Sequence, residues 1–81
     1  MNKDMIYEQV VEMMKNIISN NEVTIVKTTK FIDIENWDSL NPVDLELDVE
    51  LSFDISFDTD EFQTIESVDD LIQVIYSKMD L

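Results

Sequence analysis

Residues 43–58 read VDLELDVELSFDISFD, in which every odd-numbered residue is apolar and every even-numbered residue is Asp, Glu or Ser. An alternation of period two is typical of a half-buried β-strand. Two observations oppose that interpretation. The sequence offers no second segment with which such a strand would pair, and Leu and Glu favour helices whereas Asp and Glu are depleted from strands. We therefore predict a helix over residues 39–53.

On a helix that turns by about 100° per residue, the apolar side chains of this segment separate into two stripes. One stripe has four-residue spacing and is predicted to face the core: Leu45, Val49 and Phe53. The second stripe lies on nearly the opposite side: Leu40, Val43, Leu47 and Leu51. Either this second stripe is buried between neighbouring helices, or it is exposed and marks a binding surface.

The rest of the chain contains two further helical patterns. Residues 3–19 carry apolar side chains at three- and four-residue intervals: Ile6, Val10, Met13, Met14 and Ile17. Residues 67–79 form a last helix, which Ser67 can cap and whose apolar face consists of Val68, Leu71, Ile72, Ile75 and Tyr76. A short helix is predicted over residues 58–63. Residues 20–37 form a long loop pinned to the core by Phe31, Ile32, Ile34 and Trp37.

These elements predict one all-α domain over residues 1–81, a four-helix bundle of three main helices and one short helix.

The composition of the sequence excludes several function classes. The 81 residues include 19 acids, 5 lysines, no His, no Cys and no Gly, and the net charge is −14. The sequence therefore has no Ser-His or Cys-His pair for nucleophilic catalysis and no glycine-rich phosphate loop.

The acidic charge also bears on partners and location. Between Phe31 and Ser77 there is no cationic residue, so we expect the protein to repel nucleic acid and anionic lipid and to attract basic protein surfaces. Asp58 and Asp60 faintly resemble a calcium loop, but Phe62 and Gln63 stand where an oxygen ligand and the turn glycine belong, and no metal site is predicted. No apolar run approaches about 20 residues, which predicts a soluble, cytoplasmic protein.

A three-residue motif with its downstream spacing gives a family resemblance. Asp38-Ser39-Leu40 is followed without gaps by five apolar residues in register: Val43, Leu45, Val49, Phe53 and Phe57. Ile65, Ser67 and Val68 are similar to the Ile-Thr-Thr-Val run that opens the last helix of acyl carrier proteins, and Phe31 matches their apolar loop residue. Over essentially its whole length the chain resembles the acyl carrier protein family, which includes polyketide and nonribosomal carrier domains.

The resemblance implies a non-catalytic carrier with the acyl carrier protein fold. Ser39, next to Asp38, would receive a covalent 4′-phosphopantetheine arm from coenzyme A through a phosphopantetheinyl transferase. Acyl-loading and acyl-processing enzymes with basic docking surfaces would contact the helix after the serine, at Asp38 and at four further residues: Leu40, Asp44, Leu47 and Glu50. Neither nucleic acid nor membrane is an expected partner, and we expect a monomer.

The residues around Ser39 depart from the pattern of fatty-acid carriers. Asn36 and Trp37 precede the motif and Asn41 follows it, a form that looks more like carriers of specialised pathways. These departures disfavour a housekeeping fatty-acid role without excluding it. We expect the cargo to be an acyl intermediate of a fatty-acid, polyketide or other specialised pathway. Two alternatives stay open: an aminoacyl or peptidyl carrier of a nonribosomal or cell-surface modification pathway, and an unmodified acidic interaction module in which Ser39 is only a capping residue.

Overall fold

The computed structural model of the protein describes residues 2–18, 24–34, 37, 41–58 and 60–79. Three α-helices account for most of these residues: α1 (Lys3–Ile18), α2 (Asn41–Phe53) and α3 (Val68–Met79). Two short 3-10 helices, Phe31–Asp33 and Phe62–Thr64, lie in the connections. Within the described ranges no residue belongs to a β-strand, so the predicted all-α class with three main helices is confirmed.

Helix α2 separates the alternating segment into the two predicted stripes. Three residues of the inner stripe lie in the core: Leu45, Val49 and Phe53. The other three apolar residues that follow Pro42 in this helix, which we call the outer stripe, are between 53% and 82% exposed: Val43, Leu47 and Leu51. The interpretation in which both stripes are buried is therefore wrong for these residues, and Leu40 lies outside the described residues.

The core is built around α1, which packs against both α2 and α3. Three fully buried residues of α1 repeat at four-residue intervals: Ile6, Val10 and Met14. Helix α3 contributes four buried side chains: Val68, Leu71, Ile72 and Ile75. Burying each large aliphatic side chain stabilises the fold by about 1.5–3 kcal/mol, so this three-helix contact supplies most of the apolar stabilisation.

Tyr76 was predicted on the buried face of α3, and this prediction is wrong because its side chain is 45% exposed. The Nζ atom of Lys3 lies 5.2 Å from the Tyr76 ring centroid and donates a hydrogen bond of 2.9 Å to Gln73 Oε1. A tyrosine at the surface keeps its hydroxyl hydrated and can still gain a cation–π contact. Lys3 thereby links the start of α1 to the outer face of α3.

The first loop is held to the core by side chains and by backbone hydrogen bonds. Ile25 and Ile34 are buried, and the Tyr7 hydroxyl donates a hydrogen bond of 2.9 Å to the Ile25 carbonyl. Three backbone hydrogen bonds of 2.8–3.0 Å join this loop to the residues around the start of α3, where Lys30 and Ser67 form an isolated antiparallel bridge.

Ile32 does not take part in this anchoring and is 89% exposed, so its predicted role was wrong. The reason is the 3-10 helix Phe31–Asp33. Residues three apart share a face in such a helix, so Phe31 and Ile34 turn toward the core while Ile32 points away.

Helix α2 ends at a residue with left-handed backbone geometry. Asp54 has a φ of 55°, and the following N–H of Ile55 donates to the Glu50 carbonyl oxygen at 3.2 Å. This is the hydrogen-bond pattern of a Schellman cap, in which glycine is the usual left-handed residue. Asp is tolerated in this conformation better than most residues, and the turn ends the helix although the alternating sequence continues to Asp58.

The predicted short helix over residues 58–63 is wrong in position and type. The N–H of Asp58 donates to Glu61 Oε1 and the N–H of Glu61 donates to the Asp58 carbonyl, both at 3.1 Å. These two bonds close a turn, and the 3-10 helix Phe62–Thr64 follows it. Phe62 enters the core, as its sequence position predicted.

The ends of the main helices agree with the sequence where they are described. Helix α1 ends at Ile18, one residue before the predicted end, and residue 19 lies outside the described residues, as do residues 39 and 40 of the second predicted helix. Helix α3 begins at Val68, and the Ser67 Oγ accepts a hydrogen bond of 3.2 Å from the Asp70 N–H. Ser67 is therefore the cap that the sequence predicted.

Candidate functional site

The motif that defines the candidate site stands between the first loop and α2. Asp38, Ser39 and Leu40 lie outside the described residues. Their described neighbours in the sequence are Trp37 on one side and Asn41, the first residue of α2, on the other. The predicted attachment residue thus precedes α2 by two positions.

A cavity of about 240 Å³ lies beside the start of α2. Among the described residues, six from three separate segments line it: Phe31, Trp37, Pro42, Phe62, Gln63 and Ile65. Trp37 and Pro42, which flank the motif in the sequence, are both part of this lining. The cavity therefore lies at the end of α2 that the predicted attachment residue directly precedes in the sequence.

Trp37 has an unusual environment in this lining. Its ring stacks on Phe31 with a centroid distance of 5.6 Å and an interplanar angle of 23°. The Nε1 atom is buried and has no hydrogen-bond partner among the described residues. A buried donor without an acceptor costs about 1–3 kcal/mol of desolvation, so the indole N–H is a group that an added acceptor would stabilise.

Sequence reasoning missed the cavity. It placed Phe31 and Trp37 in the loop as anchors and Phe62 in the core, and it gave no role to Gln63. The segments that meet here are separated along the chain and joined only by tertiary packing. The one available signal was a tryptophan directly before the Asp38-Ser39-Leu40 motif.

The outer stripe of α2 is accompanied by acidic side chains. Asp44 and Asp48 are exposed, and no lysine forms an ion pair with an α2 acid in the described part of the chain. Glu46 is half-buried, and burial together with the nearby Glu50 carboxylate raises its pKa above the ordinary value. This helix therefore combines exposed apolar residues with uncompensated negative charge.

Leu47 and Asp44 are exposed where the sequence predicted partner contacts, whereas Glu50 is engaged within the fold. The Glu50 Oε2 atom accepts a hydrogen bond of 2.8 Å from the Phe57 N–H. This contact fixes the chain that follows the α2 cap, and Phe57 packs edge-to-face on Phe62 with ring centroids 5.2 Å apart. Contact of Glu50 with a partner stays a prediction.

No family model and no curated protein matches this sequence. Among solved structures, the holo acyl carrier protein from Geobacter metallireducens, determined by solution NMR, is similar with a TM-score of 0.78. The similarity covers 90% of this chain and 84% of that chain at 23% sequence identity. The chain has the acyl carrier protein fold.

In this acyl carrier protein fold, the cavity and the start of α2 adjoin because Pro42 belongs to both. Asp44 and Leu47 follow within the next turns of the same helix and are exposed to solvent. None of the helices described here is long and apolar enough to span a bilayer. The described site therefore consists of an aromatic cavity and an acidic helix with an exposed apolar stripe, and in the sequence the Asp38-Ser39-Leu40 motif stands directly before that helix.

Proposed function

We propose that the protein is an acyl carrier that holds a covalent 4′-phosphopantetheine arm, derived from coenzyme A, on Ser39. The observation that carries the proposal is the position of Asp38-Ser39-Leu40 directly before helix α2 of an acyl carrier protein fold. The Geobacter metallireducens protein with the same fold is a holo form, and we extend that state to this chain.

The described residues around the motif suit such an arm. Helix α2 is 13 residues long, and the free N–H groups and dipole at a helix N-terminus favour a phosphate group. Trp37, which lines the apolar cavity, is separated from Ser39 by two Cα–Cα steps of about 3.8 Å each. When bound, the arm supplies a thiol that holds an acyl group as a thioester.

In arm attachment this chain contributes one hydroxyl group. The Ser39 oxygen bonds to the phosphorus that carries the pantetheine, the pyrophosphate bond of coenzyme A breaks, and adenosine bisphosphate leaves. The chain has no His and no Cys, and we assign the base that takes the Ser39 proton to the phosphopantetheinyl transferase. The role of this protein is then to present the serine and afterwards the cargo, without catalysis of its own.

Attachment is tested by incubating the protein with coenzyme A and a promiscuous phosphopantetheinyl transferase and measuring its mass. We expect a gain of one phosphopantetheine group. Ser39→Ala should show no gain, whereas Ser52→Ala, which alters an exposed serine on the same helix, should be modified like the wild type. If the folded wild type gains no mass, or if Ser39→Ala gains it, the carrier proposal fails.

We also propose that α2 is the docking element for the transferase and for acyl-loading and acyl-processing enzymes with basic surfaces. The outer stripe, extended by Leu40, would form the apolar centre, and Asp38, Asp44 and Glu50 would provide charge. The net charge of −14 supports this proposal because electrostatic complementarity mainly raises association rates.

Docking is tested with the transferase as the partner. Asp44→Asn should lower kcat/KM a few-fold at low salt, and the difference should shrink as salt screens the charges. Leu47→Ala should lower kcat/KM at all salt concentrations. Glu12→Gln, which removes an exposed acid on α1, is the matched control and should leave kcat/KM unchanged. If Glu12→Gln lowers kcat/KM as much as Asp44→Asn does, the effect comes from net charge and docking at α2 is refuted.

The remaining parts of the proposal concern the setting. We place the protein in the cytoplasm as a monomer, in a fatty-acid, polyketide or other specialised acyl pathway. The solved structure with the same fold is named an acyl carrier protein. On that ground we propose an acyl rather than an aminoacyl cargo.

A further inference from the structure

The residue that directly precedes the Asp38-Ser39-Leu40 motif is attached to the fold in two ways. The Trp37 ring stacks on Phe31, with ring centroids 5.6 Å apart and an interplanar angle of 23°. The backbone N–H of Trp37 donates a hydrogen bond of 3.2 Å to the carbonyl oxygen of Ile34, a buried residue. The first loop therefore holds both the side chain and the main chain of Trp37.

The partner of this stack is itself fixed to the core. The N–H of Phe31 donates a hydrogen bond of 3.0 Å to the Glu66 carbonyl oxygen, in the segment before α3. Two residues earlier, the Thr29 carbonyl oxygen accepts a hydrogen bond of 3.0 Å from the N–H of Val68, whose side chain is fully buried. A series of contacts thus runs from the start of α3 through Phe31 to Trp37.

The residues on both sides of the motif adjoin one cavity. Pro42, the second residue of α2, lines the same cavity as Trp37. Residues 38–41 therefore connect two points that are placed by packing around that cavity. Ser39 follows Trp37 by two Cα–Cα steps of about 3.8 Å each, so a displacement of the Trp37 main chain is transmitted to the serine.

The position of the Trp37 ring depends on stacking rather than on a polar contact. Its Nε1 atom has no hydrogen-bond partner among the described residues. A stacked aromatic pair is worth about 0.5–1.5 kcal/mol beyond its buried area, which corresponds to a factor of roughly 2–12 in a rate. Neither Trp37 nor Phe31 belongs to α2, the proposed docking helix, so loss of the stack can be separated from loss of docking.

From these contacts we infer that Trp37 is a positioning residue for arm attachment, whose stack on Phe31 presents the Ser39 hydroxyl to coenzyme A in the transferase. The inference rests on the proposed carrier function. Trp37 takes no part in the bonds: the Ser39 oxygen bonds to phosphorus, adenosine bisphosphate leaves with the electrons of the broken pyrophosphate bond, and the transferase takes the proton. Correct orientation of a reacting group matters because a misplacement of about 1 Å can cost about 100-fold in rate.

Two other roles of Trp37 would change different kinetic quantities. A residue that only stabilises the fold would change the folded fraction, and a lower folded fraction raises the apparent dissociation constant for the transferase. The maximal rate would stay the same, because saturating transferase restores the folded protein by mass action. A docking residue, as proposed for Leu47, also raises the half-saturating concentration. A positioning residue lowers the maximal rate inside the complex.

Single-turnover kinetics with the transferase in excess separate these quantities. The protein is mixed with saturating coenzyme A and increasing concentrations of a promiscuous transferase, and the mass gain is followed in time. Trp37→Leu keeps an apolar side chain but removes the stack, so the maximal rate should fall by roughly 2- to 12-fold. Trp37→Phe keeps a ring that can stack on Phe31 and should restore most of the rate.

Variants of other rings provide the controls. Phe31→Leu removes the second ring of the stack and should cause a similar loss. In the double variant of Phe31→Leu and Trp37→Leu the two losses should not multiply, because both remove the same contact. Phe57→Leu breaks a different aromatic pair, with Phe62 at 5.2 Å, and should leave the maximal rate unchanged. If Trp37→Leu does not fold, Phe31→Leu compared with Phe57→Leu decides the same question.

The possible results distinguish this inference from the carrier function. If Trp37→Leu reaches the maximal rate of the wild type, with or without a higher half-saturating concentration, the inference is overturned and the carrier function stands. If Trp37→Phe is as slow as Trp37→Leu, or if Phe57→Leu is equally slow, stacking on Phe31 is not the cause and the inference is again overturned. A wild type that gains no mass overturns the carrier function and this inference together.

Discussion

Replacing leucines one at a time in the alternating segment distinguishes a helix from a strand. Leu45, Leu47 and Leu51 all stand at odd positions, so a strand would place them on one face and their truncation would have similar effects. Helix α2 places them differently, because Leu45 is fully buried while Leu47 is 53% and Leu51 is 82% exposed. We therefore expect clearly unequal losses of stability on substitution by alanine.

The magnitudes follow from these exposures. Leu45→Ala removes a completely buried side chain and should lower the free energy of unfolding by about 2.7–5 kcal/mol. Leu47→Ala removes a side chain that is about half buried and should cost roughly 1 kcal/mol. Leu51→Ala loses almost no burial and gains slightly in helix propensity, so its effect should lie within about 0.5 kcal/mol of zero.

The assay is equilibrium unfolding in urea, followed by far-ultraviolet circular dichroism. A domain of 81 residues has a total stability of about 4–12 kcal/mol, so Leu45→Ala could leave too little folded protein to measure. In that case Val49→Ala, at a fully buried site, is compared with Val43→Ala at a site that is 53% exposed. Equal losses within each set would refute the helical assignment of the two stripes.

Three further predictions concern the cap, the charge of α2 and the net charge. Asp54→Gly should raise the free energy of unfolding by about 0.5–1 kcal/mol, because glycine adopts the φ of 55° without steric cost; in thermal unfolding Ser56→Gly, at a residue without a positive φ, should not stabilise. Glu46→Gln should be more stable than the wild type near neutral pH, since burial and the Glu50 charge raise the pKa of Glu46 and disfavour its ionised form. Because the folded-state pKa of Glu46 is raised, the wild type regains stability as the pH falls through that pKa and the carboxylate is protonated. In urea unfolding, the advantage of Glu46→Gln should therefore vanish below about pH 4. An advantage that persists at lower pH would show that the charge of Glu46 is not its cause. Raising NaCl from about 0.01 M to about 0.1 M shortens the Debye length from about 30 Å to about 10 Å, and the Tm should rise because self-repulsion of the −14 charge is screened; an unchanged Tm would show that repulsion is unimportant.

Most of the helical architecture could be predicted from local sequence rules. The α1 pattern and the Ser67 cap follow from apolar spacing and from the preference of serine for helix starts. For residues 43–58 the periodicity was misleading on its own, and helix propensity together with the lack of a partner strand gave the correct assignment. The alternation persists past Phe53, however, and the end of α2 is set by the left-handed Asp54, which apolar patterning does not reveal.

The errors arose where tertiary contacts decide the outcome. Whether Ile32 is buried depends on the phase of a three-residue 3-10 helix, and such a short element has no periodic signal. Tyr76 has the spacing of a core residue but lies at the surface under Lys3. The cavity requires the packing of the first loop against the segment before α3, so its composition could not be read from either segment alone.

The three helices differ in how well their charges match their dipoles. Helix α1 has Asp4 in its first turn and Lys15 in its last, and α3 has Asp69 and Asp70 at the start and Lys78 at the end. Both arrangements stabilise a helix. Helix α2 has an acid in its first turn but no basic residue in its last, and a left-handed aspartate follows its C-terminus.

Helix α2 therefore concentrates features that do not favour the stability of the isolated protein. It exposes the outer stripe, and its acids form no ion pairs within the described residues. Trp37, which lines the cavity at its start, has a buried Nε1 atom without a hydrogen-bond partner among the described residues. Departures from locally consistent sequence and structure are expected at functional sites, where binding supplies the missing contacts. Each of these features would be relieved by an added group: an apolar partner surface, a basic side chain and a hydrogen-bond acceptor. All three features belong to α2 or to the cavity at its start, and α2 is the helix that the Asp38-Ser39-Leu40 motif directly precedes in the sequence.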